Sequence, residues 1–207
     1  MIRICKNADK PQTLDKSYNT DEVCKQLLMD QNDKCYLCER HLTTDYQVEH
    51  FKSQANNGDL KQTWENLFVA CGYCNNKKSN KYDDILDPIH YDIETIIRHS
   101  NDFVNQKVIF NSDHATSEVL STIQLLNLLF NGKLPYRNCR EQRFYDEFIQ
   151  KMNFFSYAVN EYMSGKKEDY YPVIKELLDI RSEYLGFKYA IIHSNDLLKH
   201  DFGDMTI

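Results

Sequence analysis

Long apolar runs are missing from the 207-residue chain: no stretch approaches the ~18 uncharged apolar residues that a membrane helix needs. The opening residues, MIRICKNADK, also lack the apolar core of a secretory leader. A soluble, cytoplasmic protein with no membrane partner is the expectation. A basic excess is missing too, since 25 Lys and Arg stand against 31 Asp and Glu, for a formal net charge of −6. An acidic surface repels phosphates, so a nucleic-acid role requires a local basic patch, a bound metal or a partner that supplies affinity. No repeat and no low-complexity linker divides the chain. The hydrophobic share of 42% and the aromatic share of 13% are those of a folded protein. The length suits one medium domain or a small one with an extension.

Seven cysteines without an export signal argue against disulfide staples, because the cytosol keeps thiols reduced. Cys5, Cys24 and Cys139 stand alone and are expected as small core residues. The other four form two matching pairs, Cys35-Tyr-Leu-Cys38 and Cys71-Gly-Tyr-Cys74, about 32 residues apart. Each Cys-x-x-Cys knuckle turns two thiolates toward one point, and four thiolates complete a tetrahedral zinc shell. A sulfur-only set suits a closed structural Zn2+ site that ties a loop-rich segment together. A redox role lacks the βαβ context that thioredoxin-like motifs need.

The sequence reads as α+β. Residues 21–33 place Val23, Leu27 and Leu28 at helical spacing behind Thr20 or Asp21 as N-cap. Tyr46 and Val48 alternate with polar neighbours in a short strand, and residues 52–63 read as a surface loop. WENLFVAC predicts a helical turn and an apolar run into Cys71, and CNNKKSNKY one or two turns of helix. Asp87-Pro88 marks a stop. Beyond it, helices are expected in 92–104, 117–131, 138–163 and 171–193, with Gly132, Pro135 and Gly165 in the breaks and one strand in QKVIFNS. Three parts follow: an N-terminal segment and helix (1–34), a core holding the knuckles (35–88), and a mostly helical region (89–207) packed on that core and used for partner docking.

Between and beside the knuckles lie Glu49-His50 at the end of the candidate strand, Asn66 in WENL, and Asn75 directly after Cys74. A zinc clamp pins their segments to one knot. Convergent Glu, Asn and His suit a second, hard cation on oxygen ligands, with histidine free as a base. The order Cys35-x-x-Cys38, Glu49-His50, Asn66, Cys71-x-x-Cys74-Asn75-x-x-Lys78 resembles an HNH nuclease of the ββα-metal fold, in its HNN variant. More narrowly, the string from CYLCER through VEHF and WENLFVAC to LDP resembles the PtuB-like HNH subunits of Septu-type and retron-associated bacterial defence systems. STIQLLNLLFNGKLPYR is similar to the segment that follows the nuclease core in that group.

The resemblance implies a metal-dependent endonuclease that hydrolyses phosphodiester bonds in nucleic acid, DNA favoured over RNA, within an anti-phage complex that includes a PtuA-like ATPase. It makes His50 the general base, Glu49 and Asn75 the ligands of a catalytic Mg2+ or Mn2+, and Asn66 the residue that pins the loop and orients His50. Lys78, with Lys77, would contact phosphate. Glu49 stands where the family most often has aspartate, and Asn75 where it usually has histidine; neither change predicts a dead enzyme. The rival reading is a non-catalytic zinc-knuckle module that binds nucleic acid or scaffolds a partner.

The remaining signals are blander. His41, His90, His99, His114, His193 and His200 are expected as ordinary surface or core residues. The aromatic positions of 144–162 have helical spacing and read as packed core or partner interface ahead of a base-stacking platform. Arg137, Arg140 and Arg143 recur every third residue, either as a basic stripe or as a solvated salt-bridged face.

Overall fold

In the computed structural model, which describes residues 1–133 and 135–206, Thr20 caps the first helix by accepting the Val23 amide at 3.3 Å. That helix, α1, spans Asp21–Asp30 and buries Val23 and Leu27. Two short antiparallel strands follow, β1 over Tyr46–His50 and β2 over Leu67–Cys71, in the register Tyr46 opposite Cys71 and His50 opposite Leu67. Helix α2, Gly72–Lys78, starts directly from β2. The second edge of β2 is not left open: Gln31 accepts the Val69 amide and donates to the Val69 carbonyl, both at 2.8 Å. This closes an edge that would otherwise pair with another chain.

The C-terminal region is mostly helical. It runs α3 (Ile93–Ile96), β3 (Arg98–Asp102), β4 (Lys107–Asn111), α4 (Ser117–Asn131), α5 (Cys139–Met163), α6 (Lys167–Leu177), α7 (Leu185–His193) and α8 (Asp196–Phe202). The strands β3 and β4 form an antiparallel hairpin. Helix α5 begins at a capping box in which Asn138 and Glu141 satisfy each other's backbone amides. Its periodic Phe144, Phe148, Met152 and Phe155 are buried, which makes the aromatic stretch core along that face. Buried apolar residues from the N-terminal segment, the β1–β2 unit and the helices form one cluster. None of the described helices is long and apolar enough to cross a membrane.

Four expectations need correction. The helix predicted for 92–104 is a single turn, because Ile93, Ile96 and Ile97 supply one apolar face and the next residues pair with β4. The helix predicted for 171–193 breaks at 178–184, where the Lys34 ammonium takes the carbonyls of Ile180 (2.5 Å) and Ser182 (2.8 Å) and Tyr184 adopts φ 56°. Cys5 and Cys139 are exposed and Cys24 is half-buried rather than core; Ile2 and Ile4 point inward along an extended segment, so Cys5 points out. The three arginines do not share one stripe. Arg137 lies before the helix, bonded to the Phe130 carbonyl at 2.9 Å with its guanidinium 3.6 Å from the Tyr145 ring centroid, whereas Arg140 and Arg143 are exposed.

Phe130 is the hub of the aromatic core, with ring centroids of Phe144 and Phe148 at 5.2 Å, Phe187 at 5.4 Å and Phe110 at 5.6 Å. Phe130→Ala is expected to cost ~3–5 kcal/mol in urea denaturation. Because the core is shared, the unfolding of the knuckle unit and of the helices should coincide at one midpoint.

Candidate active site and metal centre

The first knuckle is a tight turn in which the Glu39 amide donates to the Cys35 carbonyl at 2.8 Å and Glu39 takes φ 64°. The second sits where β2 becomes α2. Cys71 is the N-cap, its sulfur accepting the Cys74 amide at 3.5 Å. All four sulfurs lie within 4.8 Å of one another, and all four residues are buried. Zinc bonds of ~2.3 Å in a tetrahedron require sulfur separations of about 3.8 Å, so a small contraction suffices. The donor set fits zinc: four soft sulfurs, with no carboxylate or imidazole among them. Hydrogen bonds from Cys35, Cys38 and Cys74 hold the Cys71 thiol far below the usual thiol range, while burial pushes Cys38 and Cys74 far above it.

The helical region grips this knot from outside. Arg40 reaches Asp45 at 2.7 Å and Glu147 of α5 at 3.3 Å, and Glu183 accepts the His41 amide at 2.9 Å. Tyr73, between the second pair of cysteines, donates to the Leu129 carbonyl at 2.7 Å and stacks on Phe144 with centroids 4.6 Å apart.

Glu49 and His50 are neighbours in sequence and point to opposite sides of β1, as adjacent strand residues do. Glu49 faces α2 and the first knuckle, where it is 5% exposed. One carboxylate oxygen accepts the Lys78 ammonium at 2.8 Å and the other accepts the Tyr36 hydroxyl at 2.5 Å. Burial pushes the Glu49 carboxyl upward, and the Lys78 ammonium opposes that shift. Lys78 is fully buried and also donates to the His50 carbonyl at 3.1 Å. It is therefore an internal counter-charge rather than a surface phosphate contact. Lys77 is occupied as well, paired with Glu141 at 2.5 Å with both side chains largely covered.

His50 faces the 51–63 loop. Its Nε2 lies 2.9 Å from the Lys61 carbonyl oxygen, which can only accept, so Nε2 carries the proton and Nδ1 keeps the lone pair. Gln54 Nε2 lies 3.1 Å from Nδ1. Burial depresses the imidazolium pKa, the hydrogen bond to the Lys61 carbonyl opposes that, and the Lys61 and Lys78 charges add to the depression. Asn66 spans the neck of the loop: its carbonyl oxygen accepts the Lys52 amide at 2.7 Å, and its amide donates to Lys52 at 3.0 Å and Leu60 at 3.2 Å. Asp83 holds the same loop through the Ser53 amide at 2.9 Å and hydroxyl at 2.8 Å. Asn75 is set on α2 with its amide donating to Gln47 at 2.8 Å, which leaves its carbonyl oxygen as the available donor atom.

Sequence reasoning did not single out Tyr36, Gln47, Gln54, Lys61, Asp83 or Tyr18, whose ring meets His50 edge-on at 4.7 Å. Gln47 was findable, because positions i and i+2 of a strand share a face and Gln47 precedes Glu49 by two. The others come from loops and carry no periodic signal. Among the described residues, the four cysteines are the sole cluster of three or more His, Cys, Asp or Glu with ligand atoms close enough to hold an ion.

The buried Glu49–Lys78 pair yields a stability test. Lys78→Met strands a buried carboxylate and is expected to cost ~3–5 kcal/mol in denaturant titration. The double variant Glu49→Gln with Lys78→Met should recover part of that loss. No curated protein and no solved structure matches the chain. Residues 35–81 match the family model for HNH endonuclease, and so an HNH domain spans both knuckles, the β1–β2 hairpin and α2.

Proposed function

We propose that the protein is a metal-dependent HNH endonuclease that hydrolyses phosphodiester bonds in nucleic acid, DNA favoured over RNA, with His50 as general base. The observation that carries this reading is the His50 ring held through Nε2 by the Lys61 carbonyl within the HNH domain, so that Nδ1, which accepts from the Gln54 amide, is the nitrogen that would take a proton once water replaces that amide. Asn66, by closing the loop neck, fixes the backbone on which both His50 and Lys61 are mounted.

Zinc is assigned to Cys35, Cys38, Cys71 and Cys74 as a structural ion. Glu49 and Asn75 are the hard-oxygen donors assigned to a catalytic Mg2+ or Mn2+. They fit in donor type, but Glu49 is already paired with the Lys78 ammonium and accepts the Tyr36 hydroxyl, so no step is routed through that ion. When bound, a divalent ion supplies charge stabilisation to the phosphorane and the leaving oxygen. The same saturation of Glu49 favours the second reading, a non-catalytic zinc-knuckle module that binds nucleic acid or scaffolds a partner.

The PtuB-like resemblance supports placing the protein in an anti-phage complex as the nuclease subunit beside an ATPase. The acidic charge of −6 agrees with affinity for nucleic acid that a partner completes. The helical region, exposing Phe154 and Tyr157 on α5, is the part proposed to dock it.

Plasmid and oligonucleotide cleavage in Mg2+ or Mn2+ is expected to fall ~10²–10⁴-fold in His50→Ala. Equal cleavage by both proteins removes His50 from the mechanism, and no cleavage by either favours the second reading. Asn75→Ala should keep zinc content and fold while losing cleavage, whereas Cys74→Ala should lose zinc and unfold the core. Native mass spectrometry of the co-expressed neighbouring genes should reveal the ATPase; a fully active lone monomer would contradict the docking proposal.

A further inference from the structure

Lys78 and Lys77, the two lysines placed beside the motif to meet phosphate, are not available to it. Lys78 is buried against Glu49, and Lys77 is paired with Glu141. Lys52, the next lysine on the loop, donates to the Asp83 carbonyl. A nuclease with an acidic surface still needs a cation beside its base, because the scissile phosphate arrives with its own negative charge.

Lys61 meets that need by position. It is exposed, and its own backbone carbonyl holds His50 Nε2, so its Cα is tethered one hydrogen bond from the base. Its ammonium lies 5.6 Å from the centroid of the Tyr18 ring, within the range of a cation–π contact. The same Tyr18 ring packs edge-on against His50, with an interplanar angle of 79°. Tyr18 belongs to the N-terminal segment, outside the 35–81 match. That segment is fastened to the loop exit: Gln62 donates to the Leu14 carbonyl at 3.1 Å, Trp64 Nε1 to the Asn7 carbonyl at 2.8 Å, and the Lys6 ammonium to the Trp64 and Leu67 carbonyls.

We infer that Tyr18 and Lys61 complete the His50 site from outside the motif: Tyr18 is a positioning residue that braces the imidazole and carries Lys61, and Lys61 is the cation that contacts a backbone phosphate of the nucleic acid. The inference rests on the proposed nuclease reading. It explains how an acidic chain presents one unneutralised charge at its base without a basic surface. A phosphate docked on Lys61 lies on the His50 side of β1, away from the Glu49–Lys78 pair.

The test is binding of a fluorescent DNA duplex and of an RNA of the same sequence to the full zinc-loaded chain, by anisotropy without Mg2+ or Mn2+, between about 50 and 200 mM KCl. Loss of one phosphate contact in Lys61→Met should reduce the slope of log affinity against log salt by ~0.9, while Lys77→Met leaves the slope unchanged. Tyr18→Leu should weaken binding about two- to fivefold, the scale of an exposed cation–π contact, and lower kcat in the cleavage assay. Tyr18→Phe, which keeps the ring, should restore both. An unchanged slope in Lys61→Met overturns the phosphate contact, and a Tyr18→Leu protein with unaltered kcat and binding overturns the positioning role. Wild-type protein that binds but never cleaves sinks the hydrolytic reading while the Lys61 slope still decides the contact. Wild-type protein that binds neither probe sinks both.

Discussion

Four buried sulfurs drawn within 4.8 Å of one another are the constraint on which the rest of the molecule depends. The first pair fixes the turn after α1, and the second fixes the passage from β2 into α2. A hairpin of two five-residue strands is at best marginal alone. Here each end is tethered to the same knot. Four thiolates in a buried site repel one another, so the arrangement calls for a cation, and a soft tetrahedral donor set selects zinc. The free energy of binding such an ion is then folding free energy for the 35–78 segment.

Around the knot, the fold separates two kinds of polar group. On the α2 side of β1, Glu49, Lys78 and Tyr36 form a closed buried set whose members satisfy one another. Such a pair adds little net stability by existing and costs much when half removed, so it acts as a lock on the approach of α2 to β1. On the loop side, His50 is buried between the Lys61 carbonyl at Nε2 and the Gln54 amide at Nδ1, both of them loop groups. Asn66 and Asp83 fasten the loop that carries those groups, and Tyr18 closes it from the N-terminal segment. The helical region contributes to the same centre at a distance, through Tyr73 against Phe144 and through Arg40 against Glu147. The single shared core ties these contacts to the stability of the whole chain.

The parts legible in the sequence were those governed by local chemistry. The two knuckles, the β1–β2 pair, the turn at Trp64–Asn66 and the long amphipathic helices α4 and α5 follow from spacing and caps. What was illegible depended on partners distant in sequence. The break at 178–184 has only the short turn that Asp179 makes with Arg181 and Ser182 as a local signal, and the Lys34 ammonium that takes its carbonyls lies far away in sequence. Arg98–Asp102 becomes a strand because β4 is there to pair with it. Adjacency also misled: Glu49 and His50 suggest one shared site until the two-residue period of a strand sets them back to back. Lys78 looked like a surface charge one turn past Asn75, but at that turn α2 is covered by β1.

The most direct measurement of the central claim is X-ray absorption at the zinc edge of the purified full-length chain. A closed knot gives one zinc per chain with a shell of four sulfurs at ~2.3 Å and no lighter ligand. A shell containing nitrogen or oxygen, or a folded metal-free chain with Cys35, Cys38, Cys71 and Cys74 joined in disulfides, would contradict it.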